Sequence, residues 1–285
     1  MQRVRELLEG LDLPAVCERS AAGYRLPAVH ALGAALPQGH LHVWSGAPGA
    51  GKTAFLLGLL REAARHGRPT LLATYDLPAS ALALRLLAME AGVSLADLDA
   101  GRLVGSDAQA AALARARLSE LPLHLLEARG LSTASLEDRL VRSSARIDVL
   151  GVDYVEAVVR AVPAHGDGVP ATLHELSELA KRRWLSVVAT VRTPPPGVAA
   201  PAGAAAASAI DPCDADRVGW IAPLDEHGAA EASLLSNRHG QLTSCRLRLD
   251  IPSARWVQFT AEPDGETGAA PGRNGPPGTA ADRPA

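Results

Sequence analysis

Aromatic side chains make up only 3% of this 285-residue sequence. Its core must therefore be assembled from Ala, Leu and Val, with Trp44, Trp184, Trp220 and Trp256 as the few large pieces. Cysteine is sparse as well. Cys17, Cys213 and Cys245 lie far apart without a C-x-x-C pair, so neither a zinc site nor a disulfide framework is suggested, and a reducing compartment is the simplest home. No uninterrupted apolar run reaches the roughly 20 residues of a membrane span. The charges spread through MQRVRELLEG exclude the apolar stretch of a signal peptide. An excess of charge is missing too: 28 basic residues against 31 acidic ones give a net charge of −3, so any contact with nucleic acid has to be local. These absences predict a soluble, cytoplasmic protein with no membrane contact. Lysine occurs only at Lys52 and Lys181, and the first of these falls in the most informative stretch of the chain.

What is present is an alternation of short apolar runs with helical periodicity. LHVWS (41–45), PTLLATYD (69–76), PLHLLE (122–127), IDVLGVDYV (147–155) and LSVVATV (185–191) read as buried strands. Between them, TAFLLGLLREAARHG, ASALALRLLAMEAG, QAAALARARLSEL, TASLEDRLVRSSAR and TLHELSELAKRRW read as helices, the fourth capped by Ser132 or Thr133. Such alternation predicts an α/β fold with a mostly parallel sheet covered by helices on both faces. RVGWIAP, EASLLSN and SCRLRLDI follow as short strands, expected to form an antiparallel extension. The chain divides into an arm at 1–22 with a short amphipathic helix over 2–10, one core at 23–260, and a Gly/Pro-rich tail at 261–285. The tail and the uncharged TPPPGVAAPAGAAAASA (193–209) carry the composition of unstructured segments.

GAPGAGKT (46–53) fits G-x-x-x-x-G-K-[ST] and lies where the chemistry requires it, after a strand and opening a helix. Backbone N–H groups of Gly49, Gly51 and Lys52 can surround a polyphosphate, assisted by the positive end of the helix. Lys52 would reach the β and γ phosphates of a nucleotide, and the Thr53 hydroxyl would ligate Mg²⁺. Asp153, ending the apolar run VLGVD, is the candidate second anchor for the metal. Asp76, ending TLLATYD, is either the base that orients a hydrolytic water or the N-cap of the helix that follows.

From Gly23 to about Trp256 the chain resembles the C-terminal, RecA-like motor domain of DnaB-type replicative helicases. The resemblance rests on GAPGAGKT together with ALRLLAMEAGVSLADLDAGRL (83–103), PLHLLEARGLSTASLEDRLVR, VLGVDYVEAV, SAIDPCDADRVGWI (208–221) and LLSNRHGQLTSCRL, in the family's order and spacing. It implies a RecA-like P-loop fold in which Gly46, Gly49, Gly51, Lys52 and Thr53 bind ATP and Asp153 holds Mg²⁺. By the same likeness, Asp76 matches the catalytic glutamate and Arg238 the arginine finger offered to a neighbouring subunit. A finger supplied in trans implies a homo-oligomeric ring, usually of six, with the arm at 2–10 as the linker helix that docks on a neighbour.

Several positions depart from the family's pattern. Asp76 stands for Glu, Ser236 for the lysine beside the finger, Glu156 for a glutamine after the metal-binding strand, and Arg192 for a glutamine that senses the γ-phosphate. The segments expected to face single-stranded DNA, RAVPAHGDGVPA (160–171) and 193–209, hold Arg160 and His165 almost alone as cations. The 22 residues before Gly23 are too few for the family's primase-binding helical domain. Two functions follow as expectations: a stand-alone ATPase of the helicase motor class with DNA-related work, or a nucleotide-binding module that acts through protein partners with weak or no hydrolysis.

Overall fold

The structure, a computed structural model, describes residues 36–143, 145–161, 168–192, 215–238 and 240–258. The expected arm helix, the stretch at 193–209 and the tail at 261–285 lie outside the described residues, as do Cys17 and Cys213.

Strand β1 (His40–Gly46) is buried along nearly all its length, as a central strand of a covered sheet must be. It runs through the glycine loop into helix α1 (Lys52–Arg65), which buries Ala54, Phe55, Leu56, Leu57, Leu59, Leu60, Ala63 and Ala64. Then come β2 (Thr70–Thr74), α2 (Ala79–Ala91), the short α3 (Leu95–Asp99), α4 (Gly105–Ser119), β3 (Leu123–Glu127) and α5 (Thr133–Arg142). Ser132 is the cap of α5, accepting from Ser135 N at 3.1 Å. The chain continues through β4 (Val149–Asp153), α6 (Val155–Ala161), α7 (Gly168–Arg183) and β5 (Ser186–Arg192). It finishes with β6 (Arg217–Ile221), β7 (Ala229–Asn237), β8 (Ser244–Asp250) and β9 (Arg255–Gln258).

Among the described residues, the nine strands form one sheet in the order β3-β2-β4-β5-β1-β6-β7-β8-β9. Alternating side chains send the core to both faces. Trp44, Leu72, Val149 and Val188 pack with α1 and α2 on one side. Leu41, Val43, Leu150, Val152, Val187 and Ala189 pack with α5, α6 and α7 on the other. Trp44 and Phe55 meet with ring centroids 4.6 Å apart, and Gly219 leaves room for Trp44, since a Cβ there would lie 2.3 Å from its ring.

Three local expectations are corrected, and one element is added. RVGWI does not begin the antiparallel extension: β6 runs parallel to β1, with His42 opposite Arg217 and Gly46 opposite Ile221, and reversal starts only at β7. Residues 193–216 are a connection long enough for a crossover, whereas β6 and β7 are joined by a short turn. The run expected as strand over 147–155 is strand only as far as Asp153, and its last residue, Val155, opens helix α6, because an apolar run has no period that separates the two states. Strand β9 has no counterpart among the expected elements. Trp184 is not a core residue: it is 61% exposed at the end of α7, with φ of 54°, and its ring lies over Gly39.

Candidate functional site

The strands β2, β4, β5 and β1 are neighbours and all parallel, so their C-terminal ends open at one edge of the sheet. Thr74 stands opposite Asp153 and Gly46 opposite Arg192. This register collects the loop at 46–53, Asp76, Asp153 and Arg192 around a cavity of about 500 Å³. Gly49, Gly51, Lys52, Thr53, Asp76, Asp153 and Arg192 line it, with Leu249, Ile251 and Ala254 on the side of the β8–β9 turn.

Gly51 has φ of 79°, a left-handed conformation that glycine adopts without strain, and serves as N-cap of α1. Its carbonyl accepts from Trp256 Nε1 at 3.0 Å, and a Cβ at this position would lie 2.7 Å from the indole. Sterics and backbone geometry therefore both require glycine. Lys52 Nζ donates to the carbonyls of Gly46 and Ala47 at 2.6 and 2.8 Å. Burial lowers the pKa of Lys52, opposed by the negative charges of Glu156 and Asp153.

Thr53 Oγ1 donates to Asp153 Oδ2 at 2.9 Å, and Thr190 Oγ1 donates to Asp153 Oδ1 at 2.6 Å. Asp153 is buried, and the peptide joining it to Tyr154 is cis. Asp76 is not the cap of α2. That position belongs to Pro78, and Glu127 Oε1 at the end of β3 accepts from Ala79 N at 2.9 Å. The Asp76 carboxylate is instead half exposed at the cavity, 3.5 Å from Arg192 Nη2. Arg129 Nη2 fixes the Asp76 backbone by donating to its carbonyl at 2.9 Å.

The Arg192 guanidinium lies 3.7 Å from the centroid of the Tyr154 ring, and its backbone N donates to Glu156 Oε1 at 2.6 Å. Burial raises the pKa of Glu156 above the usual carboxylate range. Arg238 is elsewhere. Its N donates to Asp216 O at 3.0 Å, and Asp216 in turn bonds both N and O of Leu41. Leu41 is five residues before Gly46 along β1, or about 17 Å at 3.3 to 3.4 Å per residue. Arg238 is thus not part of the cavity of its own chain, and Ser236, near the end of β7, pairs with Val218 of β6.

Sequence reasoning missed Thr190, Tyr154 and Trp256. Thr190 carries a signal, being a hydroxyl close to the end of an apolar strand. The other two carry none. Arg160 has no described side chain, and His165 and residues 193–214 lie outside the described residues. Among the described residues no helix is long and apolar enough to cross a membrane, and no group of three or more His, Cys, Asp or Glu is placed to hold a metal ion.

Comparison with known proteins agrees with this architecture. A solved ATPase domain superposes with a TM-score of 0.76 at 14% identity, covering 90% of this chain and 98% of that one. A DnaB-like replicative helicase, solved for its interactions with primase, superposes with a TM-score of 0.73 at 14% identity, over 90% of this chain and 70% of that one. The replicative DNA helicase DnaB of Leifsonia xyli subsp. xyli (strain CTCB07) is 25% identical over 159 residues, 54% of this chain and 35% of that protein. The chain thus spans about a third of the length of the curated relative it matches. The family model of the DnaB-like helicase C-terminal domain matches residues 26–192, more than half of the sequence, including the ends of β1, β2, β4 and β5 at the cavity. Fold, register and family model agree, and the chain belongs to the DnaB-like helicase C-terminal domain family.

Proposed function

We propose that the chain is an ATPase motor that binds ATP at residues 46–53 and hydrolyses it with Mg²⁺, coupled to work on DNA within a homo-oligomeric ring. The observation that carries this reading is the convergence of Thr53, Asp153 and Thr190 beside the glycine loop. Two hard oxygen donors 2.9 Å apart, one of them an aspartate held by a second hydroxyl, suit a cation that keeps several waters and takes the rest of its shell from phosphate oxygens. When bound, Mg²⁺ would supply charge neutralisation across the β and γ phosphates.

The loop amides of Gly49, Gly51 and Lys52 would take the phosphate oxygens, and Lys52 would exchange its two loop carbonyls for the β and γ phosphates. Asp76 is the carboxylate at the cavity suited to orient the attacking water. The water oxygen bonds to the γ-phosphorus, the bond to the bridging oxygen breaks, and its electron pair leaves with ADP. The water's proton passes to Asp76. Arg238, remote from its own cavity, would serve a neighbour's nucleotide, and residues 23–260 would form the ATPase core.

Phosphate release from Mg·ATP tests this. The parent protein is expected to turn over, and Lys52→Ala and Asp76→Ala to lose at least about 100-fold, in line with removal of a charged or proton-accepting group. Equal turnover in parent and variants would overturn the reading. A binding module without hydrolysis is favoured by one observation, the ion pair between Asp76 and Arg192. It predicts ATP retention with no phosphate release. Stimulation by single-stranded DNA separates a DNA motor from an ATPase directed at protein partners.

A further inference from the structure

We infer that Arg129 and Glu127, at the end of β3, are positioning residues for hydrolysis: together they clamp the turn that carries Asp76 and so place its carboxylate at the nucleotide cavity. Neither of them lines that cavity. The inference rests on the hydrolytic role proposed above for Asp76 and says what sets the position of that carboxylate.

The turn begins where β2 ends and is tied on both sides. Towards β4, Tyr75 N donates to Asp153 O at 2.9 Å. Thr74 closes the turn on itself, since its Oγ1 donates to Leu77 O at 2.9 Å and accepts from Leu77 N at 3.3 Å. Towards β3, Ala128 N donates to Thr74 O at 2.8 Å. Two side chains then complete the grip: Arg129 Nη2 donates to Asp76 O at 2.9 Å, and Glu127 Oε1 accepts from Ala79 N at 2.9 Å. Ala128 is buried between these two exposed residues, the alternation that brings side chains two apart to one side of an extended chain. Both anchors are charge-assisted, and the Glu127 carboxylate also meets the positive end of helix α2.

Such a clamp matters more for an aspartate than for a longer acid. Only χ1 sets where the Asp76 carboxyl carbon lies, in about three staggered positions, so any shift of the backbone passes directly to the carboxylate. A glutamate would have a second torsion with which to recover its reach. The ion pair of Asp76 with Arg192 adds little restraint, being 3.5 Å long between side chains that are 53% and 43% exposed. A base must keep its water within hydrogen-bond reach, and a displacement of about 1 Å costs on the order of 100-fold in rate. The position of this base is therefore set from β3, through the backbone of the turn.

Phosphate release from Mg·ATP, binding of Mg·ADP, and amide hydrogen exchange across residues 75–79 test the clamp together. Arg129→Ala is expected to lower kcat roughly tenfold while changing Mg·ADP affinity less than about twofold, and to speed exchange across 75–79 in the nucleotide-free protein. Arg129→Lys keeps a charged donor and recovers part of both losses. Glu127→Ala acts in the same direction, whereas Glu127→Gln keeps an acceptor oxygen and stays within about threefold of the parent. In the Asp76→Ala background, Arg129→Ala costs less than about twofold more, because no carboxylate is left to place. A loss from Arg129→Ala that is equal with and without Asp76, a kcat within about twofold of the parent, a matching loss of Mg·ADP affinity, or unchanged exchange would overturn the assignment while leaving the hydrolytic role of Asp76 standing. A parent protein that releases no phosphate would overturn that role and this assignment together.

Discussion

Asp153 is held through both of its carboxylate oxygens, one by Thr53 and one by Thr190, and that double restraint fixes where a metal-binding charge would point. Three residues on, Glu156 is in the opposite situation. One oxygen accepts from Arg192 N, while the other is buried with no partner. Burial raises its folded-state pKa, so the ionised side chain costs stability wherever the carboxyl is charged in both folded and unfolded chains. That cost disappears below the unfolded pKa, where the group is protonated throughout. Glu156→Gln is accordingly expected to stabilise the protein by about 1 kcal/mol at pH 7, roughly 2–4 °C in melting temperature, with the difference from the parent shrinking towards pH 4. Thermal melts over that pH range check it, and a variant that melts lower at pH 7 contradicts it. At this scale the sequence was legible where residue type and position coincide: Lys52, Thr53 and Asp153 follow from a motif and a strand end. Tyr154 and the Arg192 pairing were not, because they depend on how four strand ends are ordered in space.

Among the elements, β9 has the most to do with the loop and is least visible in the sequence. Four residues with no clear alternation, RWVQ, pair with β8 and bring Trp256 onto Gly51. Trp256 is 9% exposed and packs with Ala54, Phe55 and Ala50 in the same core. Trp256→Ala is expected to cost about 3 kcal/mol, or roughly 6–12 °C in melting temperature, and to loosen nucleotide binding because the loop loses its backing. Trp256→Phe keeps the ring but not the N–H and should lose about 1 kcal/mol from the hydrogen bond, before any loss from the smaller ring. Calorimetry on both variants tests this; an alanine variant as stable as the parent would remove β9 from the support of the cradle. The helices and parallel strands were readable because burial on one stripe or on both faces imposes a period. β6 was misjudged because direction in a sheet depends on the length of the preceding connection rather than on the strand's own residues.

For the whole molecule, the outstanding feature is the separation of Arg238 from the cavity, about the length of β1. Under the proposed function the arginine acts across a subunit boundary. Lys52→Ala subunits would keep the arginine but lose the cradle, and Arg238→Ala subunits would do the reverse. A mixture of the two is expected to show turnover that neither shows alone, and turnover equal to the sum of the separate proteins would contradict action in trans. The family model ends at residue 192, and the structural likeness extends the fold over 90% of the chain, so the outer strands next to Arg238 are supported by shape rather than by sequence identity. The measurement that reaches the central claim most directly is titration of Mg·ATP into the 285-residue chain and into Lys52→Ala. One ATP per chain, with affinity reduced at least about tenfold by Lys52→Ala, is the predicted result. Equal affinity in the two proteins, or no binding by either, would contradict it.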